Sequence, residues 1–306
     1  MFENIFGNNS IKNILKQSID SNKVSHSYLM IGVSGIGKKM IATEFAKGIL
    51  CLSEDKACNH CKSCIEFNSN NNPDFFCIEP EGNSIKIEQI RELQKKIQEK
   101  PIISEKKVYI IDQADLMTKE AQNCLLKTLE EPPEFVIIIL VLANESKILN
   151  TVKSRCMRIF FSKLKDEELK KYACREYNEA EIKEGMIKNA SGSISKFIKI
   201  KENFDEYENL EELVKKLKTD NILDIINNAD VLYKNKDKIE DLLDYMTTVF
   251  YNWLTKEDNI KYINIIKIIE IVKRKLKSNS NFDMSIDYLI FNIWEEINED
   301  SNRSQV

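Results

Sequence analysis

The segment that most restricts the fold of this chain is Ser27-Tyr28-Leu29-Met30-Ile31 followed by Gly32-Val33-Ser34-Gly35-Ile36-Gly37-Lys38-Lys39. Five residues that read as a buried strand run into a glycine-rich turn, and Ile41 to Leu50 continues as a helix. Strand, Gly-x4-Gly-Lys and helix form the unit in which backbone N–H groups approach phosphate and a lysine reaches its outer oxygens. Gly32, Gly35, Gly37 and Lys38 are therefore the candidate phosphate-binding residues, in an α/β domain. The match departs at Lys39, which stands where a Ser or Thr hydroxyl would ligate Mg²⁺. A glycine-rich turn that holds no nucleotide is the competing reading.

Further along, Asp74 to Ile78 reads as a strand and Ile87, Ile90, Leu93 and Ile97 form a helical stripe. Lys107 to Ile111 is an apolar strand closed by Asp112, and an acid at that place beside a P-loop is the usual holder of the Mg²⁺ shell. The next residue is Gln113, and a neutral amide cannot act as a general base. Lys39 and Gln113 thus weaken the same reaction, ATP hydrolysis. Ala121 to Glu131 reads as a helix stopped by Pro132-Pro133, and Phe135 to Leu142 as a central strand. That strand ends at Ala143-Asn144, where Asn144 is placed to face a nucleotide. Ser154-Arg155-Cys156, taken as bare residues, is a surface tripeptide.

Four of the eight cysteines fall at 51, 58, 61 and 64. Four thiolates at this spacing can close a tetrahedron around Zn²⁺, and a four-sulfur site without an open position is structural. His60 is a competing ligand. The clustering favours metal over disulfides in a cytoplasmic chain, the location expected here because the opening Met1-Phe2-Glu3-Asn4 carries no secretory leader. The longest apolar run, Phe135 to Ala143, is too short to span a bilayer, so no membrane partner is expected.

Glycine and proline are unevenly placed: all five prolines precede residue 134, and residues 193 to 306 contain neither type. A breaker-free stretch rich in Lys, Glu, Leu and Ile predicts an all-helical back half. Its stripes Ile239, Leu242, Met246, Val249, Phe250, Trp253 and Phe282, Ile286, Leu289, Ile293, Ile297 each give one apolar face. Tyr233 to Lys238 reads as a solvated linker. The net charge of −4 lacks the basic surplus of a protein that holds DNA alone, which also weakens a zinc-dependent nucleic-acid binder.

These motifs together resemble the clamp-loader subunits of bacterial DNA polymerase III, members of the AAA+ family. The segments that carry the resemblance are His26 to Leu29 leading into the P-loop, the four-cysteine insert, Asn123 to Pro133, and Thr151 to Cys156. They span about the first 160 residues. The resemblance implies a RecA-like α/β AAA+ domain with the zinc insert at 51–64 (residues 1–162), a small helical lid domain (163–205) and a helical collar domain (206–306). It implies a hetero-pentamer with gamma/tau and delta subunits that loads a sliding clamp on primed DNA during replication. Ser154 and Arg155 match the arginine-finger motif, with Arg155 reaching the ATP of a neighbouring subunit. In the lid, Ser195 stands where active relatives carry a second arginine. The chain is thus expected to lack polymerase activity and efficient ATPase activity, with zinc as its cofactor and its own ATP/Mg site open. An active ATPase subunit of the gamma/tau type is the alternative.

Overall fold

A computed structural model describes residues 1–278 and 280–302. Five strands alternate with helices in the first half: α1 (Asn9–Asp20), β1 (Ser27–Ile31), α2 (Lys38–Leu50), α3 (Lys62–Asn68), β2 (Phe75–Ile78), α4 (Ile87–Ile97), β3 (Lys107–Ile111), α5 (Lys119–Glu130), β4 (Val136–Leu142), α6 (Asn150–Lys153) and β5 (Met157–Phe160). The strands form one sheet in the order β2-β3-β4-β1-β5. Every pairing is parallel. Helices α7 (Asp166–Glu176), α8 (Glu184–Ala190), α9 (Ile194–Glu202), α10 (Phe204–Lys216), α11 (Ile222–Asn227), α12 (Asp230–Lys234), α13 (Ile239–Glu257), α14 (Lys261–Lys277) and α15 (Phe282–Asn302) follow. The α/β front and helical back expected from the punctuation are both present. Among the described residues no helix is long and apolar enough to cross a membrane.

The sheet follows from its apolar runs. All residues of β1, β3 and β4 are buried, as a parallel strand covered on both faces requires. Tyr28, Met30, Val108, Ile110, Ile137 and Ile139 point into one core. Leu29, Ile31, Tyr109, Ile111, Ile138 and Leu140 point into the other. The alternation that divides them is the period of two along each strand. The edges β2 and β5 are the less buried strands. Helix α5 starts at Thr118, whose side chain accepts from the Ala121 N–H. It ends just before Pro132-Pro133, whose rings cannot continue it.

The chain divides into two compact units, Met1–Ile182 with Gly192–Lys196, and Lys183–Ser191 with Phe197–Val306. In the second, Leu210, Leu243, Phe250, Ile265, Ile269, Ile286 and Leu289 are wholly buried. Of the two stripes, Trp253, Phe282 and Ile297 are only partly buried. Asn189 is the polar centre of this unit: its amide donates to Glu211 and to the Tyr245 hydroxyl, both at 2.6 Å, and its carbonyl accepts from Asn252 at 3.1 Å. Tyr233 to Lys238 spans the end of α12 and a short 3₁₀ turn. It is solvent-exposed at Lys234, Lys236, Asp237 and Lys238, with surface ion pairs Lys236–Asp283 and Lys238–Glu206.

Within the first unit, one buried carboxylate fastens the cysteine insert to the sheet. Asp74 has no exposed surface and accepts from the backbone N–H groups of Ile102, Ile103 and Ser104 at 2.7 to 2.8 Å. The Ser104 hydroxyl donates to the Leu50 carbonyl at the end of α2 and lies 3.0 Å from the Ser63 hydroxyl in α3. Hydrogen bonds to a charged acceptor contribute about 1.5–3 kcal/mol each at most, and their losses overlap when one group serves several. Asp74→Ala is expected to lower unfolding stability by about 3 kcal/mol and Asp74→Asn by less, measured by urea denaturation; equal stability of all three proteins would refute the anchor.

Candidate functional site

The two ends of the parallel sheet carry different sets of residues. At the carboxyl end, Gly32 follows β1 directly and its N–H donates to the Leu142 carbonyl at the end of β4. Gly35 and Gly37 have φ of +78° and +88°, a backbone region that a side chain disfavours. At Gly35 space forbids one as well: a Cβ would lie 2.4 Å from the Ser193 hydroxyl. The segment 193–195 lies against this turn, with the Ser195 N–H donating to the Gly35 carbonyl at 3.2 Å and the Ser193 hydroxyl to the Ser34 carbonyl at 3.2 Å. Ser195 thus meets the loop through its backbone.

Lys38, at the start of α2, is buried to 7% exposure, and its ammonium donates to the Val33 carbonyl at 2.7 Å. Burial lowers its pKa, opposed by the charges of Asp112 and Asp115. Lys39 forms an ion pair with Glu79 and lies 3.4 Å from Asp112 Oδ2. Burial opposes its charge, but the hydrogen bond to Glu79 and the surrounding charges outweigh that and raise its pKa. Asp112 sits just past β3, its N–H on the Ile78 carbonyl and its Oδ1 accepting from the Gln113 N–H. Gln113 is exposed, with φ of +51°. Asn144 spends its side chain on its own turn, accepting from the N–H and hydroxyl of Ser146. Gly32, Gly35, Gly37, Lys38 and Asp112 are thus brought to one end of the sheet, while Asn144 shares that end but is engaged locally.

Arg155 lies at the opposite end. Its carbonyl accepts from the hydroxyl of Ser27, the first residue of β1, at 2.6 Å, whereas the glycine turn begins after the last. At about 3.3 Å per residue, the length of β1 puts the two roughly 16 Å apart along the strand. The Arg155 guanidinium pairs with Glu130 at 2.6 Å, at the end of α5, and donates to the Thr151 carbonyl at 2.8 Å. Ser154 also donates its hydroxyl to Thr151 and accepts from Arg155 at 3.3 Å.

The cysteines form a third group. The ligand atoms of Cys51, Cys58, Cys61 and Cys64 all lie within 4.8 Å of one another. The Cys51–Cys61 and Cys58–Cys64 sulfur separations are 3.9 and 4.0 Å. A tetrahedron with Zn–S near 2.3 Å has edges of about 3.8 Å, so the four sulfurs fit zinc. The Cys61 and Cys64 N–H groups point at the sulfurs of Cys58 and Cys61, which favours thiolate. Hydrogen bonding, first from the Ser53 side chain, lowers Cys58 to about 5, whereas burial raises Cys64. His60 turns away, its Nδ1 2.8 Å from the Cys58 carbonyl, so the set is four sulfurs. Cys77, Cys124, Cys156 and Cys174 are free thiols outside it.

Sequence reasoning missed two acids. Glu79 follows β2 as Asp112 follows β3, and the strand-then-acid pattern is the signal that locates it. Glu130 precedes the double proline, and nothing in its spacing marks it as the partner of Arg155.

Residues 7–165 match the family described as DNA polymerase III, delta subunit. The delta prime subunit of Bacillus subtilis DNA polymerase III is 37% identical over 160 residues, 52% of this chain and 49% of that protein. The tau/gamma subunit of Haemophilus influenzae is 34% identical over 173 residues, 56% of this chain and 25% of that protein. The delta prime subunit of Pseudomonas aeruginosa is 35% identical over 138 residues, 44% of this chain and 42% of that protein. The chain thus matches about half the length of its delta prime relatives or less, and a quarter of the tau/gamma relative. With more than half of its residues matched by one family, and delta prime subunits among its relatives, the chain belongs to the DNA polymerase III delta subunit family, as a member of the delta prime type.

Proposed function

We propose that the chain is a clamp-loader subunit of DNA polymerase III that donates Arg155 to the ATP of a neighbouring subunit and hydrolyses little or no ATP itself. The observation that carries this reading is the placement of Arg155 at the end of the sheet opposite its own glycine turn. A guanidinium there is out of reach of the Gly32–Lys38 loop and, one-third exposed, is accessible to a ligand held by another chain. A planar, permanently charged donor suits the charge that develops on a transferring phosphoryl group. The chain's own loop is poorly equipped for turnover: Lys39 offers no hydroxyl, and the exposed Gln113 offers no base.

The wider assignment follows the relatives. The partners would be gamma/tau and delta subunits in a ring of five that opens a sliding clamp on primed DNA. The chain would be divided into an AAA+ domain (1–162), a lid (163–205) and a collar (206–306). The half-exposed members of the helical stripes, such as Trp253 and Phe282, are the surfaces offered for assembly.

The second reading, an ATPase of the gamma/tau type, is favoured by the tau/gamma relatives and the intact Gly32, Gly35, Gly37 and Lys38. Steady-state hydrolysis by the isolated chain separates the two. We expect turnover at background level and no difference on Lys38→Ala. A measurable rate that collapses in that variant would establish the second reading.

A further inference from the structure

A divalent cation in a P-loop needs a hydroxyl ligand directly after the P-loop lysine and a carboxylate free to hold its water shell. Neither is available here. Residue 39 is lysine, and the ammonium of that lysine lies 3.4 Å from Asp112 Oδ2, the oxygen-bearing group that would serve the metal. On its other side the ammonium pairs with Glu79, just past β2, the strand next to β3. The residues present therefore do not fit Mg²⁺: its ligand is missing and its carboxylate already faces a cation.

The rest of the loop keeps what an anion needs. Gly35 and Gly37 retain left-handed backbone, and Lys38 is held inside the turn by the Val33 carbonyl rather than by an acid. An ammonium carries three N–H donors and no acceptor. The hydrogen bond to Glu79 uses one of those on Lys39, and the ammonium faces Asp112 Oδ2 at 3.4 Å, which leaves N–H donors for a further oxygen. A lysine ammonium is charged across the neutral range at its ordinary pKa, and the two carboxylates flank this one. One positive charge beside Asp112 is thus built into the start of α2.

We propose that the Lys39 ammonium, held by Glu79 and Asp112, takes the place of the divalent cation, so that this chain binds a nucleoside polyphosphate without a metal. Glu79 is the positioning residue: it holds the ammonium beside Asp112. The proposal concerns the chain's own loop and does not rest on the role of Arg155.

Calorimetric titration of ATP into the intact chain, in EDTA and in excess MgCl₂, tests it. For the native chain and Lys39→Arg, the dissociation constants in the two media should agree within about threefold. Lys39→Thr, which removes the charge and restores a hydroxyl, should bind about tenfold more weakly in EDTA and recover in Mg²⁺. Three results would overturn the proposal: tightening of the native chain by Mg²⁺ of about tenfold or more, no ATP bound by the native chain in either medium, or Lys39→Thr behaving like the native chain in both. Because the readout is binding to this chain alone, such a failure is separate from a failure of Arg155 to act on a neighbour.

Discussion

Removal of zinc from the purified chain is expected to release the segment between α2 and β2 while the parallel sheet stays folded. The insert between Cys51 and Asn72 contributes few residues to the sheet's cores: Phe67 belongs to one of them, and Cys51, Ala57 and Cys64 are its other buried apolar residues. So small a set cannot offset the ordering entropy of some twenty residues at ~1–2 kcal/mol each. A four-thiolate metal site supplies much of what is missing, since structural zinc contributes ~10–16 kcal/mol in isolated fingers. Only part of that appears as global stability, because the core strands β1, β3 and β4 are buried without the insert. A loss of roughly 3–4 kcal/mol corresponds to a Tm about 10 °C lower for a unit of this size. Cys64→Ser should match the chelated protein, whereas Cys77→Ser, a change at an exposed thiol, should melt like the native chain. Limited proteolysis should cut between residues 52 and 63 only after chelation. One equivalent of zinc per chain is the accompanying expectation. A chain that purifies metal-free, or whose melting is indifferent to chelators, would show that the four sulfurs are merely neighbours.

The cysteine site was legible because metal geometry acts at short range in sequence: two Cys-x2 steps sharing Cys61 place three sulfurs together whatever the rest of the chain does. Strands β1, β3 and β4 were legible for a similar reason, since apolar runs of five to seven residues with glycine, acid or proline at their ends have few other solutions. What could not be read were the pairings made by topology. Lys39 and Glu79 lie forty residues apart with the whole insert between them, and only the parallel sheet β2-β3-β4-β1-β5 brings the start of α2 and the end of β2 together at its carboxyl end. Asp74 was read as part of a strand; its actual work, gathering the N–H groups of 102–104, depends on a loop without periodicity. Tyr233 to Lys238 is solvated as read, with Lys234, Lys236, Asp237 and Lys238 exposed, but its place at the end of α12 and its ion pairs with Glu206 and Asp283 are invisible in a charge run. The most consequential case is Arg155. Its motif was recognisable by resemblance, but which end of the sheet it occupies follows only from the parallel pairing of β1 with β5, Tyr28 against Met157.

From that placement we expect Arg155→Ala to reduce DNA-stimulated ATP turnover of the assembled loader by about 10³-fold or more, the scale on which such arginines act. The stability of this chain should barely change. The guanidinium is one-third exposed, and its pair with Glu130 is a surface ion pair at 2.6 Å, worth ~0–1 kcal/mol. The same weakness makes the role feasible: a triphosphate presented by a neighbour competes easily with one carboxylate, one backbone carbonyl and one hydroxyl for a fork of five donors. Lysine at 155 keeps a charge but loses that fork, so Arg155→Lys should remain close to alanine. Glu130→Gln should alter the rate only a few-fold, because it removes a resting partner rather than the donor itself. Comparing the variants at equal occupancy of the complex, checked by gel filtration, separates a lost donor from a lost interface. If the alanine variant loads clamps and turns over ATP like the native protein, Arg155 has no ligand across the interface and its partners are Glu130, Thr151 and Ser154 of its own chain.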